Sequence, residues 1–163
     1  MDGLDYFKIR IANGILPSTI CFGIMEHESL HGSYLKSSTE FKTHDLESFD
    51  LQLNNQSVNF FPLARDGDSY YNFYHRFLKE GKFWENPFSS GPIDYDNFRT
   101  FNFLIVADLE NQSATFGELT AIIKFKTALS KKFFLVYLPV YTKRLVFDSS
   151  FNPTVEYKKT SKK

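Results

Sequence analysis

One cysteine in 163 residues, Cys21, leaves no partner for an internal disulfide, so the fold does not depend on an oxidising compartment. It lies in the apolar run Thr19-Ile20-Cys21-Phe22, where it reads as a small buried hydrophobe rather than a nucleophile. Net charge is also missing. Nineteen Lys and Arg stand against 19 Asp and Glu. A balanced chain has no global field to gather phosphates, which excludes nucleic acid as a main partner. No apolar run approaches the roughly 18 residues that a membrane-crossing helix needs. The start Met1-Asp2-Gly3-Leu4-Asp5 has neither the basic opening nor the apolar stretch of a secretion signal. The expectation is an intracellular protein, in cytoplasm or nucleus, with no membrane partner. Without a leader, the sequons Asn55-Gln56-Ser57 and Asn111-Gln112-Ser113 read as polar turns.

Catalytic signatures are equally scarce. There is no glycine-rich phosphate loop, no G-x-S-x-G elbow and no C-x-x-C pair. Asp94 and Asp96 sit in a polar stretch and read as turn-formers. The sharpest motif is His27-Glu28-Ser29-Leu30-His31, which matches the H-E-x-x-H of zinc peptidases. That chemistry needs a helix, so that both imidazoles meet one metal and the carboxylate polarises its water. Here the motif follows a strand-like run and is cut off by Gly32-Ser33, so no helix and no zinc site are expected. The histidines His27, His31, His44 and His75 form no H-x-H pair on a strand either.

What is abundant is aromatic. Nineteen Phe and nine Tyr favour strands over helices. Phe7, Ile9 and Ile11 alternate with Lys8 and Arg10, and a turn is expected at Asn13-Gly14. A second run covers Thr19 to Met25. Phe49, Leu51 and Leu53 alternate with Asp50, Gln52 and Asn54, and Asn54 to Ser57 turns the chain back. One short helix is expected from Asp68 or Ser69, with Tyr70, Phe73, Tyr74, Phe77 and Leu78 at helical spacing and Gly81 as its stop. A loop follows from Glu85 to Asn97, then an almost wholly apolar strand from Phe101 to Leu109. Leu119, Ala121, Ile123 and Phe125 form another half-buried strand, and Phe133–Tyr141, Leu145–Phe147 and Thr154–Tyr157 complete the set. Pro139 lacks a ladder donor and belongs at an edge or bend. About eight strands at this spacing predict an all-β antiparallel sandwich of jelly-roll type. Its expected core includes Phe49, Leu51, Leu53, Ile105, Leu119, Ile123, Phe125 and Leu135. The domain is expected to run over 1–157, with 158–163 as a basic disordered tail.

The order of these segments resembles the C-terminal jelly roll of the double jelly-roll major capsid proteins of Polinton (Maverick) elements, adintoviruses and virophage-like elements. Leu16 and Pro17 open a run similar to the family's L-P-x-x-hydrophobic strand, with Gly23 near its end. His31-Gly32-Ser33-Tyr34 resembles its F-x-G-S-Y loop, and Phe41 with His44 a following N-P-F-x-F-x-H segment. Asn55 stands where the family carries a turn glycine. Ala107-Asp108-Leu109 is similar to its F-D-L, and Gly117-Glu118-Leu119 to its G-x-L. The likeness spans positions 6 to 157 in order. A family member carries two jelly rolls, and this chain has length for one, as a fragment or a domesticated single copy.

The resemblance implies a structural capsid-like protein, a module that builds a viral or transposon-derived shell by self-association. It implies no enzyme activity and no cofactor. The expected partners are copies of the chain, as trimer or hexamer, or a companion jelly roll, and the location is the virion if the protein is viral. The alternative is a domesticated β-sandwich binding module for a protein or glycan, which would present exposed aromatics such as Tyr95 and Phe98 at its loop tips.

Overall fold

In the computed structural model the described residues are 4–32, 40–63, 68–80, 93–110, 112, 114–147 and 153–157. The strands are β1 (Tyr6–Ile15), β2 (Thr19–Glu26), β3 (Leu46–Leu53), β4 (Gln56–Pro62), β5 (Leu104–Asp108), β6 (Phe116–Phe125), β7 (Phe133–Val140), β8 (Lys143–Phe147) and β9 (Pro153–Tyr157). The helices are α1 (His27–Leu30), α2 (Asp68–Glu80) and α3 (Tyr95–Phe101).

A four-stranded sheet has the order β1-β6-β3-β4, and a three-stranded sheet has the order β5-β2-β7. Every pairing in both is antiparallel. The partners nest: β1 pairs β6, β2 pairs β5 and β3 pairs β4. That is one long folded-back ribbon wrapped around a core, which is the jelly-roll plan. The innermost turn is the two-residue link Asn54-Asn55, with φ of 50° and 65°. Positive φ at both positions gives the turn whose twist suits a hairpin, and asparagine tolerates it.

The alternating residues of each strand meet between the sheets. Phe22 of β2 and Phe49 of β3 approach to 4.8 Å between ring centroids. Phe49, Leu51, Leu53, Ile105, Leu119, Ile123 and Phe125 are all buried, while Leu135 is half-buried. Each such side chain removed from water stabilises the fold by about 1.5–3 kcal/mol. The aromatic stripe on α2 closes one side of the sandwich. Phe73 stacks on Phe61 of β4 at 5.5 Å and packs at a tilt against Phe103, just before β5, at 5.1 Å. On the opposite side the edges are β1 and β7, and Pro139 sits on that edge strand.

Several local expectations are corrected. Asn13 and Gly14 do not turn the chain but remain in β1, pairing Glu118 and Gly117. A bulge between Arg10 and Ala12 shifts the register there, and pairing with the long β6 overrides the local turn propensity. Of the expected loop, 85–92 lie outside the described residues, while Tyr95–Asn97 and the expected strand start at Phe101 belong to α3, so β5 begins only at Leu104. Asp94 caps that helix by accepting from the Asn97 N–H at 2.9 Å, which holds its carboxyl below the ordinary range. Asp96 lies in its first turn. Three helices are present among the described residues, where one was expected. β8 and β9 pair only with each other among the described residues, outside both main sheets. Gly81, Ser33, Tyr34, Asn111, Ser113 and the tail 158–163 lie outside the described residues. No helix among the described residues is long and apolar enough to cross a membrane.

Candidate functional site

The outward faces of the two sheets differ in the charge they carry. On the four-stranded sheet the outward rows carry Lys8 and Arg10 from β1, the buried Thr120 with Ile122 and Lys124 from β6, and Asp50 and Gln52 from β3. Three of these charges have partners in place. Arg10 pairs Glu118 at 3.1 Å, Lys124 pairs Glu47 at 2.9 Å, and Asp50 accepts from Gln52 at 2.8 Å and from Ser57. The same face also exposes Tyr6, Ile15, Phe60 and Phe116, and its exposed ion pairs contribute little to stability.

The outward face of the three-stranded sheet is apolar. Ile20, Phe22 and Ile24 of β2 point into the core, so Thr19, Cys21, Gly23 and Met25 line the other side. Their neighbours across the ladder are Val106 and Leu104 on β5, and Phe134, Val136, Leu138 and Val140 on β7. The centre of this face is partly covered. The Phe41 ring lies on Gly23, where any Cβ would collide with it. The β7 side is open, with Leu138 at 65%, Val140 at 48% and Phe134 at 37% exposure. A sheet apolar on both faces is normally covered on both. This open flank is therefore the candidate functional surface.

The H-E-x-x-H segment lies at one end of it. Contrary to the expectation of no helix, His27–Leu30 forms a helical turn. It ends at once, with His31 as its C-cap and Gly32 at φ +86°. The two imidazoles stack at 4.0 Å between centroids and 14° between planes, and Phe134 lies 5.3 Å from His27. His31 Nδ1 donates to the His27 carbonyl at 3.0 Å. Lone pairs in two nearly parallel, stacked ring planes do not converge on one ion. Among the described residues no group of three or more His, Cys, Asp and Glu is placed to hold a metal. The adjoining cleft of about 230 Å³ is lined by Glu26, His27, Glu28, Lys131 and Lys132. Lys131 lies 3.6 Å from Glu26.

The residues singled out by the resemblance take structural posts. Leu16 donates its N–H to Thr115 at 3.0 Å, and Pro17 is buried beside it. Gly23 admits Phe41, Gly32 ends the α1 turn, and Asn55 makes the β3–β4 hairpin. Asp108 closes β5 by accepting from the Glu110 N–H at 2.7 Å, and Leu109 is buried and bonded to the Ser18 carbonyl at 2.8 Å. Gly117 lies against Asn54, with no room for a Cβ. These positions do not gather at one site; they are spread around the ribbon. Two side chains carry burial effects. Cys21 is half-buried, and desolvation pushes its thiol up to about 11. His44 packs on Phe133 at 4.4 Å, and burial lowers its pKa while the Glu26 charge opposes that shift.

The apolar flank was not foreseen as a site. Its signal was present in Phe133 to Val140, where both alternate positions are apolar, unlike the strands that alternate with charge. Comparison with known proteins finds no matching family model, curated protein or solved structure.

Proposed function

We propose that this chain is a structural module that builds a capsid-like shell by associating with copies of itself or with a companion jelly roll. The observation that carries this reading is the apolar flank of β7. Phe134, Leu138 and Val140 lie exposed along one outward row that carries no charged side chain. Such patches on otherwise well-solvated proteins mark association surfaces. The segment order that resembles double jelly-roll capsid proteins supports the same reading, and the stacked geometry of His27 and His31 gives no support to a catalytic metal.

The rival binding module would present aromatics such as Tyr95 and Phe98 at its loop tips. Phe98 is fully buried, and Tyr95 packs against Tyr71 at 6.1 Å and Tyr74 at 5.5 Å, so neither projects from a loop tip. The test is light scattering with electron microscopy, on the chain alone and mixed with a jelly roll of the resembling family. Concentration-dependent growth toward closed trimers, hexamers or particles supports the reading. A strict monomer in both cases overturns it and promotes the binding module.

A further inference from the structure

One row of residues crosses the four-stranded sheet from Tyr6 of β1 through Lys124 of β6 and Ser48 of β3 to Pro62 of β4. Among the described residues β1 and β4 are the outer strands of that sheet. Tyr6 and Pro62 therefore mark its two sides at one level, about 14 Å apart for three strand spacings. The two sides carry complementary features.

Beside Pro62, a cleft of about 300 Å³ opens between β4 and α2. It is lined by Phe60, Phe61 and Pro62 from the strand and by Asn72, His75 and Arg76 from the helix. No residue of the lining is acidic. The Arg76 guanidinium lies over the Phe61 ring, 4.6 Å from its centroid, and the contact holds the cation at the wall. Among the described residues Arg76 has no carboxylate partner, whereas Arg10, Lys42, Lys79, Lys124 and Lys131 each have one. A stacked guanidinium still directs its N–H fork outward in its own plane, and that fork matches a carboxylate. The Phe60 ring at the rim is 58% exposed. The cleft thus suits a carboxylate with apolar side chains beside it.

Leu4, Asp5 and Tyr6, on the other side of the sheet, present that combination. Leu4 is 59% and Tyr6 49% exposed, and the exposed Asp5 between them has no ion-pair partner among the described residues. The segment is held in place: the Phe125 N–H donates to the Asp5 carbonyl at 2.7 Å, and the Leu129 N–H to the Leu4 carbonyl at 3.2 Å. A segment already ordered loses less freedom on docking. Within one chain the two features sit on opposite sides of the sheet and do not meet.

We propose that Leu4–Tyr6 of one copy docks in the β4–α2 cleft of the next, with Asp5 paired to Arg76 and with Leu4 and Tyr6 against Phe60 and Pro62. This rests on the self-association reading above and adds a contact separate from the β7 flank. Two different surfaces meet, so the contact is head-to-tail and closes into a ring when the rotation between copies allows. Because the segment and the cleft lie at one level of the sheet, a step about an axis along the strands adds no rise, which is the condition for closure. Trimers and hexamers are rings of this kind. A single exposed ion pair contributes little, so the apolar contacts carry most of the affinity and the charges set which surfaces meet.

Sedimentation velocity on the full chain, from about 1 µM to 1 mM, reads this contact. The wild type associates. Asp5→Arg and Arg76→Glu each bring like charges together in the cleft and weaken association at least about tenfold. Circular dichroism checks that both variants fold. An equimolar mixture of the two variants gives every contact an opposite-charge pair, so it associates where neither does alone. The chain that carries both substitutions associates as well. Association unaffected by either reversal, or weakened without recovery in the mixture, overturns this contact and leaves self-association standing. If the reversals have no effect on association, yet an acetylated Leu-Asp-Tyr peptide binds the wild type and not Arg76→Glu, the cleft takes an acidic segment of another protein and the second copy is overturned as its occupant. A monomer throughout overturns both this contact and the self-association reading.

Discussion

The hydroxyl of Tyr137 on β7 donates to the carbonyl of Ile11 on β1 across a distance of 3.4 Å, tying the open side of the sandwich together. Ile11 is the residue that the β1 bulge leaves out of the ladder with β6, so its carbonyl is available. The irregularity in one sheet thereby supplies the acceptor for a side chain of the other. At that length the bond is weak. Tyr137→Phe should cost about 0.5 kcal/mol, at the low end for a hydrogen bond, and lower the denaturant midpoint without changing its slope. A loss above about 2 kcal/mol would mean that the phenol does more than bridge the edges.

The centre of the sandwich is far less forgiving. Ile123 is fully buried, paired with Phe7 on one side and Phe49 on the other. Ile123→Asp puts an unpaired carboxylate there, at a cost of several kcal/mol, comparable with the whole stability of a domain. The variant is expected to be unfolded by circular dichroism and tryptophan fluorescence. A cooperative melt near the wild-type temperature would refute the assigned core.

Gly23 is limited by a neighbour rather than by its own backbone. Gly23→Ala drives a methyl into the Phe41 ring and should cost about 1–3 kcal/mol, the range for overpacking a filled core. Adding Phe41→Leu should recover part of that loss. The coupling read from a double-mutant cycle checks it, and additive losses would show that the two residues do not meet.

Much of the fold was legible because alternation survives tertiary context. Phe49, Leu51 and Leu53, like Leu119, Ile123 and Phe125, are buried where period-two patterning puts them. The misread segments are those where long-range pairing or a side-chain cap outweighs a local signal. Asn13-Gly14 has the composition of a turn yet lies opposite Glu118 and Gly117 in a ladder. The polar stretch before Phe98 looks like a loop until Asp94 caps it, and Phe98 then fills the space beside Phe103 at 5.7 Å. The apolar flank of β7 escaped notice for a different reason. A run such as Phe133 to Val140 reads equally well as a strand covered on both sides, and only the strand order leaves it at an edge.

The stacked pair His27 and His31 is expected to hold no metal. Zinc analysis of the purified chain should give well under one ion per molecule. His27→Ala with His31→Ala should change stability by no more than about 1 kcal/mol, since both rings lie at the surface end of the sheet. One zinc per chain that disappears in the double variant would require the rings to unstack and would reopen the peptidase reading.

Cys21 offers a check on the apolar flank that is independent of assembly. Burial pushes its thiol up to about 11, above the roughly 8.5 of a free cysteine. At pH 8 the thiolate fraction is then lower by about two orders of magnitude than in an unfolded chain, so alkylation of the native protein should be slower by at least about 100-fold. The stability consequence has a definite sign. Folding favours the neutral thiol, so its contribution is complete below the unfolded pKa and is lost as pH rises from about 8.5 toward 11. Lysines and tyrosines also titrate in that window, so the measurement is a difference. Wild type and Cys21→Ala are unfolded in urea at several values between pH 8 and 11, and the wild type should lose stability more steeply. Equal slopes, together with alkylation at the rate of a free thiol, would place Cys21 in water and contradict the packing of the β5-β2-β7 face.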